Sequence, residues 1–530
     1  MQQVEPSQIQ SDSLKPALQR VVRGGALGMV GIITGAVLNL VLVYVVTQAL
    51  GEDGTGVFFE SIALFSILVT VACFGADTGF VRTVSRFQAL NRANDLKRLL
   101  IVGGGPVVVI STLFALAIVV WAPQLVDLLI EGGGPEAVRN LRLLAPFIPL
   151  ASVSWICLAA ARGFGSMTPY VLLENVGKPL LRPGLAMGAI AAGFGAGAIA
   201  IAWALPVAIQ LPISIFVVIM LVRRAQADAA APEAHQPGRA IASEFWRFSL
   251  ARGAASVFQV TIMWLDILLV AIFLGSSEAG IYAVVSRLTL AGKLTLEAIR
   301  LAIAPELSAL LARGDNDGAG RLYRVAAIWT IVPSWPLYVL LFIFAHPVME
   351  FFGPQFVEGV PALRILSAAM LFNLGTGEVT TLLLMGGKSS WNLFNNSISL
   401  AINLSLNLIL IPRWGIEGAA VAWTLSILFD NIVPLIQIGV LMKIRLFGPA
   451  YFRAVATAIG SYAATGVVWL ALLGASGAAL ILSAVTGSLV YIALLFRSRG
   501  EFQLPLLWEA LKPGARRRSG LGPPPASENA

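Results

Sequence analysis

Long apolar stretches separated by short polar segments follow one another along almost the whole chain. A helix needs about 20 apolar residues to cross the hydrocarbon core of a bilayer, and the sequence contains about fourteen stretches of that length. They are residues 25–48, 57–79, 101–122, 141–161, 170–192, 198–221, 249–273, 280–302, 325–346, 361–384, 391–411, 418–441, 454–473 and 477–496. This pattern predicts an all-α, polytopic membrane protein with about fourteen transmembrane helices.

Positive charge is concentrated in alternate loops between these stretches. Lysine and arginine are frequent in residues 82–98, 223–247 and 497–518, whereas an intervening loop such as 127–136 carries aspartate and glutamate. Cytoplasmic loops of membrane proteins carry an excess of lysine and arginine. We therefore expect a multi-pass protein of the cell membrane with both termini in the cytoplasm.

The composition agrees with a membrane location and indicates few other kinds of site. Hydrophobic residues make up 57% of the chain and charged residues 12%, against about 25% charged residues in soluble domains. The cytoplasmic loops explain the formal net charge of +8, so we expect no nucleic-acid partner. Cys73 and Cys157 lie in apolar stretches, and His235 is far from His346, so no disulfide, metal site or cofactor is predicted. Residues 1–24 are polar, which predicts no cleavable signal peptide.

Two short segments of the first half of the chain recur in the second half. A Leu-Gly-x4-Gly-x-aromatic segment occurs at residues 50–58 and again at 274–282. A Gly-x4-Ala-aliphatic-Ala-Trp segment occurs at residues 195–203 and again at 415–423. The two segments recur in the same order and at similar separations, which predicts two parallel repeats.

The repeats and the polar segments together predict a division of the chain. We expect two six-helix lobes joined by a cytoplasmic linker, followed by two further transmembrane helices and a cytoplasmic tail that begins with an interfacial helix and ends in disorder. The predicted parts are a cytoplasmic N-terminal segment 1–24, a first lobe 25–221, a linker 222–246, a second lobe 247–442, two extra helices 443–498 and a tail 499–530.

Glycine lines one face of the first predicted span. Gly24, Gly28, Gly31 and Gly35 recur at helical spacing, and small residues let a neighbouring helix approach closely. We interpret this face as a packing surface.

Two predicted spans carry charged residues along one helical face. They are Glu174, Lys178 and Arg182 in the fifth span, and Lys293, Glu297 and Arg300 in the eighth, with Arg287 nearer the outside. A charge in the middle of a bilayer costs about 2.5–3.5 kcal/mol, so such residues usually face a partner or a watery cavity. Two interpretations stay open: the cations line a site for an anionic substrate, or Lys178 pairs with Glu174 and Lys293 with Glu297.

Three further acidic residues stand alone in their predicted spans. Asp266, Glu378 and Asp430 are each surrounded by apolar sequence. Each is a candidate to take up a proton or sodium ion for coupling, or to act as the counter-ion of one of the cations.

The repeated Leu-Gly-x4-Gly-x-aromatic segment and the Gly-Ile-Glu-Gly-Ala-Ala-Val-Ala segment at residues 415–422 resemble the oligosaccharide flippases of the polysaccharide transport family. That family belongs to the multidrug/oligosaccharidyl-lipid/polysaccharide (MOP) exporter superfamily. The resemblance covers residues 15–445, with the last two spans similar to its fourteen-span members. It implies two six-helix lobes that form a V around a central cavity and alternate between inward-open and outward-open states.

The resemblance also implies a cargo. That cargo is a polyprenyl-pyrophosphate-linked glycan, moved from the cytoplasmic to the outer leaflet for cell-surface polysaccharide synthesis, with membrane lipids and polysaccharide polymerase or ligase machinery as partners. Its headgroup is anionic, so the cavity needs cations at membrane depth. The candidates for binding it are Lys178, Arg182, Arg287, Lys293 and Arg300.

Three alternatives fit these residues less well than a glycan flippase does. A multidrug or cation antiporter would favour an acidic cavity, whereas the charged spans here are rich in cations. A lipid II flippase is disfavoured because related peptidoglycan-precursor flippases carry a basic residue in the first helix, and span 25–48 has no charge. A membrane glycan polymerase or ligase would need catalytic groups on an outer loop, and loops 123–140 and 347–360 carry no nucleophile–base pair. We therefore expect a transporter and not an enzyme.

Overall fold

The computed structural model describes residues 6–90, 92–129, 134–227, 237–444 and 446–503. Within those ranges all regular structure is helical, as the apolar pattern predicts. The α-helices are α1 (Pro6–Cys73), α2 (Ala76–Ala89), α3 (Leu96–Leu129), α4 (Gly134–Leu144), α5 (Phe147–Gly163), α6 (Thr168–Tyr170), α7 (Lys178–Ala191), α8 (Ala196–Ala227), α9 (Gly238–Leu274), α10 (Ser276–Leu290), α11 (Lys293–Ala312), α12 (Asn316–Ile343), α13 (Ala345–Glu350), α14 (Val360–Thr376), α15 (Val379–Met385), α16 (Ser389–Gln437), α17 (Pro449–Leu473) and α18 (Gly477–Arg497). Short 3-10 helices cover Ala93–Asp95 and Pro354–Gly359, and π-helical turns cover Val171–Gly177 and Ile438–Met442.

Two of these helices are too long for one crossing, and each bends at a glycine of a repeated segment. Helix α1 has 68 residues and α16 has 49, whereas about 20 residues span the bilayer. Gly51 (φ 66°) and Gly415 (φ 61°) interrupt them with backbone conformations that favour glycine, which has no Cβ. Each bend separates two predicted spans, so the sequence pattern located both turns.

All fourteen predicted spans overlap helical backbone. In the part of the chain that the structure describes, nine helices are long and apolar enough to cross a membrane, and the bent pair α4–α5 could form a tenth. Two of the nine are the doubly long segments Val37–Gln88 and Ser390–Met442. The chain is therefore an all-α, multi-pass membrane protein, and the count of fourteen crossings stays a prediction.

Several predicted spans are broken. The fifth consists of α6, a π-helical turn and α7, the eighth of α10 and α11, and the tenth of α14 and α15. Proline explains the first break, because Pro179 has no N–H to offer the carbonyl of Asn175 four residues earlier. Broken helices are tolerated at membrane depth where neighbouring helices or a cavity satisfy the freed backbone groups.

The ends of the predicted linker are helical. Helix α8 runs to Ala227 and α9 begins at Gly238, and residues 228–236 lie outside the described residues. Residues 504–530 also lie outside them, so the interfacial helix and disorder expected in the tail stay predictions. The extra helices α17 and α18 pack on α12, where Tyr491 Oη donates to the carbonyl of Val332 over 3.1 Å. The division into two lobes stays a prediction.

The two halves of the chain meet where the predicted topology places the outside. Gly56 of α1 crosses Gly280 of α10 so closely that a Cβ on Gly56 would overlap the carbonyl oxygen of Ser276. We call this crossing the outer seam. Both glycines belong to the repeated segment, and their lack of a side chain permits the contact. Nearby, Gln48 Nε2 donates to the carbonyl of Phe352 over 3.0 Å.

A second glycine crossing lies at the predicted cytoplasmic end. A Cβ on Gly253 of α9 would overlap the carbonyl of Phe74, next to Gly75, whose φ is 79°. We call this crossing the inner seam. The ring centroids of Phe80 and Phe245 are 5.0 Å apart beside it. The two halves thus touch at both ends, with a space between.

Candidate functional site

A cavity of about 230 Å³ lies between the two halves of the chain. Among the described residues, those that line it include two arginines and no carboxylate. They are Asn39, Leu40, Leu42, Val43, Phe59, Ile62, Arg182 and Trp203 from the first half, and Trp264, Arg287, Leu290 and Ala291 from the second. Two of the five predicted cations, Arg182 and Arg287, therefore border one space although they belong to different halves of the chain.

Arg182 is held by its own half. Its Nε donates to the carbonyl of Trp203 over 3.0 Å, and its guanidinium lies 4.0 Å from the centre of the Trp203 ring. An arginine is more weakly hydrated than a lysine and stacks readily on aromatic faces. Helices α7 and α8 thus fix this cation at the edge of the cavity.

Arg287 reaches the cavity from the second half and contacts aromatic rings of both halves. Its guanidinium lies 4.1 Å from the ring centre of Trp264 on α9 and 5.4 Å from that of Phe59 on α1. Its Nε is buried and has no hydrogen-bond partner among the described residues. A guanidinium with an unused donor beside a cavity is suited to binding an anion.

Lys178 precedes Arg182 by about one helical turn, but its charge is satisfied internally. Its Nζ is 2.8 Å from Glu174 Oε1, and Gln210 Nε2 donates to Glu174 Oε2 over 3.0 Å. Both side chains of the ion pair are largely buried, with 11% and 17% exposed. The geometry agrees with the internal-pairing interpretation for Lys178, and a role in substrate binding stays a prediction.

The pairing expected in the second half is different. Glu297 forms its ion pair with Arg300 and not with Lys293, because neighbours three and four residues away on a helix compete for the same carboxylate. Among the described residues Lys293 has no ion pair, and its Nζ lies 5.1 Å from the ring centre of Trp423. The carboxylates that act on it electrostatically are Asp430, Glu297 and Asp266. Lys293 and Arg300 are not among the described residues that line the cavity.

Asp266 lies in a polar pocket inside the second half. It is 4% exposed, and Asn407 Nδ2 donates to its Oδ1 over 2.8 Å. Asn403 and Asn407 are both 0% exposed, and each has a side-chain oxygen without a hydrogen-bond partner among the described residues. Neither asparagine was a candidate from the sequence, although their i, i+4 spacing within an apolar span is a visible signal.

The other two isolated acids have different surroundings. Glu378 is buried directly after the break at Gly377, and Thr381 Oγ1 donates to its Oε2 over 2.7 Å. Asp430 interacts with Ser399 and has one carboxylate oxygen without a partner among the described residues. Asp430, like Asp266, acts electrostatically on Lys293. The second half thus holds two acids, the buried Asp266 and the half-buried Asp430, that act electrostatically on one lysine.

A family of known proteins matches the central part of the chain. The polysaccharide biosynthesis protein family matches residues 59–361, more than half of the chain. A probable low-salt glycan biosynthesis flippase, Agl15 of Haloferax volcanii, is 25% identical over 171 residues, which are 32% of this chain and 36% of that protein. The match thus spans about a third of that relative's length.

Solved structures of transporters share the fold at low identity. The lipid II flippase MurJ, in an inward closed conformation, has a TM-score of 0.69 at 14% identity, covering 90% of this chain and 99% of that one. An inward-facing multidrug resistance MATE family transporter of the MOP superfamily has a TM-score of 0.63 at 15% identity, covering 80% and 99%. The chain therefore has the fold of these transporters, and it belongs to the polysaccharide biosynthesis protein family.

Proposed function

We propose that this protein is a flippase that moves a polyprenyl-pyrophosphate-linked oligosaccharide from the cytoplasmic to the outer leaflet of the cell membrane. It is a transporter and not an enzyme in this proposal. The two halves alternate access to the cavity between them, and both termini are cytoplasmic. The oligosaccharide on its lipid carrier is then available to polysaccharide polymerase or ligase machinery on the outer side.

The cationic cavity is the observation that carries the proposal. A pyrophosphate is an anionic, oxygen-rich group, and arginine binds such groups with paired hydrogen bonds. Arg182 and Arg287 approach the cavity from opposite halves, so one anion between them would contact both halves. Trp203 and Trp264 stack on the two guanidinium groups and hold them at the cavity, which positions both cations for one anion.

The polar pocket around Asp266 is the proposed coupling site. Carboxylate and amide oxygens suit a proton or a hard cation, and the unpartnered oxygens of Asn403 and Asn407 are available in the same pocket. Lys293 begins helix α11 and lies in the electrostatic field of this pocket, so binding of a cation there would change its surroundings. In this proposal the remaining membrane acids are counter-ions or further coupling residues, namely Glu174, Glu297, Glu378 and Asp430.

The alternative cargos differ in charge and headgroup. A cation antiporter needs acidic residues at its substrate, and the described lining of this cavity has two arginines and no carboxylate. Lipid II shares the polyprenyl-pyrophosphate with the proposed cargo, so the choice between these two rests on the sugar.

A reconstituted flipping assay tests the proposal. The purified protein is placed in vesicles with a fluorescent polyprenyl-pyrophosphate disaccharide, and the fraction of probe protected from an external quencher is followed with time. We expect flipping above that of empty vesicles, and a loss of at least tenfold in Arg182→Gln and in Arg287→Gln. Arg413→Gln, at an exposed arginine away from the cavity, is the matched control. Flipping that is absent, or unchanged in both cavity variants, contradicts the proposal, and a lipid II probe in the same assay identifies the competing cargo.

A further inference from the structure

A buried carboxyl group lies at the outer seam. Glu60 follows Gly56 by about one helical turn on α1 and is 0% exposed. Ser276 Oγ, on α10 of the other half, donates to Glu60 Oε2 over 3.4 Å. The second oxygen, Oε1, is buried and has no hydrogen-bond partner among the described residues. The hydrogen bond of this buried side chain in the first half thus comes from a residue of the second half.

No cation forms an ion pair with this carboxyl group among the described residues. The charged and titratable groups on this part of α1 and on the elements packed against it include Tyr44, Glu52 and Asp53 of α1, Asp266 of α9, Glu278, Tyr282 and Arg287 of α10, and Glu136, Arg139 and Arg142 of α4. Asp266 and Tyr282 contact each other, and the Arg287 guanidinium lies over the Trp264 ring. Glu278 lies in the electrostatic field of Glu358, Glu417 and Glu52, and none of these carboxylates is among the groups that act on Glu60.

A carboxylate in these surroundings is unfavourable. Burying a charge without a partner costs several kcal/mol. A neutral carboxylic acid avoids this penalty, and its O–H can donate to the Ser276 hydroxyl. The closed seam therefore favours the protonated form of Glu60.

We propose that Glu60 is a proton-binding site that holds the outer seam closed when it is neutral and releases the seam when it ionises. The proton comes from the outer solution as the seam closes and returns there as it opens, so this step alone moves no net proton across the membrane. Closing is therefore favoured by a low external pH. The inference rests on the alternating access of the proposed function. It adds that a proton controls the closing of the outer seam.

Distances between spin labels test this switch without any glycan. Labels are placed at Asp127 and Arg413, exposed residues of the two halves at the predicted outer end, and distance distributions are recorded from pH 5 to pH 9. In the protein that is otherwise unchanged, we expect the long-distance population to increase at least threefold with pH. In Glu60→Gln we expect the short distance at every pH.

Two further variants separate Glu60 from its neighbours. Glu278→Gln removes a nearby charge and should keep the pH response, whereas Ser276→Ala removes the hydroxyl partner and should enlarge the open population at low pH. A distribution that does not change with pH, or a response that survives in Glu60→Gln and disappears in Glu278→Gln, overturns the proposal.

A replacement variant keeps the test decisive if Glu60→Gln does not fold. Glu60→Met, which has a similar size and no titratable group, then takes its place, and a pH response that survives in that variant overturns the proposal. Because no substrate is present in these measurements, failure here is distinguishable from failure of the flipping assay.

Discussion

The carbonyl oxygen of Asn175 lies 2.8 Å from the position that a Cβ on Gly35 would occupy. Pro179 leaves that carbonyl without its usual helical donor, and α1 passes directly over it. The glycine face predicted in the first span therefore packs closely at Gly35, the one of its four glycines for which a neighbour is described.

Gly35→Ala should destabilise the protein by about 1–3 kcal/mol, because the new methyl group meets backbone that cannot move aside easily. Gly184→Ala is the control, since a Cβ there has open space in helix α7, and the helix propensity of alanine should make it neutral or stabilising. Thermal unfolding of both variants, followed by fluorescence-detected size exclusion, gives the comparison. Equal melting temperatures for the two variants would show that the close approach does not matter.

Lys178→Met should destabilise the fold by about 3–5 kcal/mol, because it leaves the buried Glu174 without its cation. The double variant with Glu174→Gln should recover most of that loss. Melting temperatures of the single and double variants measure the coupling. A double variant as unstable as the single one would contradict the internal pairing.

Lys293 offers a test of substrate or coupling function that is separate from stability. Because Glu297 pairs with Arg300, Lys293→Ala should leave the fold intact, and we expect at least a tenfold loss of flipping. Lys293→Arg should retain part of the activity, since it keeps the charge but changes its reach. Flipping rates are normalised to the amount of folded protein. A fully active Lys293→Ala would remove this residue from the mechanism.

The pH dependence of stability should contain a contribution from Glu278. Burial, followed by repulsion from Glu358, Glu417 and Glu52, raises the pKa of Glu278 above its ordinary value of 4.5. A raised carboxyl pKa gives stability that is present at low pH and is lost as the pH rises through the folded-state value. Glu278→Gln should therefore flatten the fall in melting temperature above pH 4.5, and an unchanged slope would refute this assignment.

The predicted topology can be checked independently. Reporter fusions at residue 230 and after residue 499 should report the cytoplasm, and a fusion at residue 53 should not, because positive loops stay inside. A cytoplasmic signal at residue 53 would reverse the orientation of every site described above.

The apolar pattern predicted the helical fold well because long hydrophobic runs have few other solutions in a bilayer. It also located the bends at Gly51 and Gly415, whose motifs repeat. The partners of charged residues were harder to predict. Helical spacing suggested Lys293 with Glu297, but i, i+3 and i, i+4 neighbours compete, and Glu297 pairs with Arg300.

Contacts between segments that are distant along the chain could not be predicted from the single amino-acid sequence. Arg182 and Arg287 were separate candidates until the fold brought them to one cavity. Glu60 was not a candidate, because a single acid near the end of a predicted span looks like a solvated helix end. Its burial depends on contact with Ser276, which belongs to the other half.

The outer seam joins two backbones at Gly56 and Gly280, with no interlocking side chains at the crossing itself. Parting the two backbones withdraws no side chain from a groove at the crossing itself, whereas the contact between Glu60 and Ser276 beside it has to break. In the proposed alternating access, a large substituent at either glycine would therefore prevent the outer seam from closing.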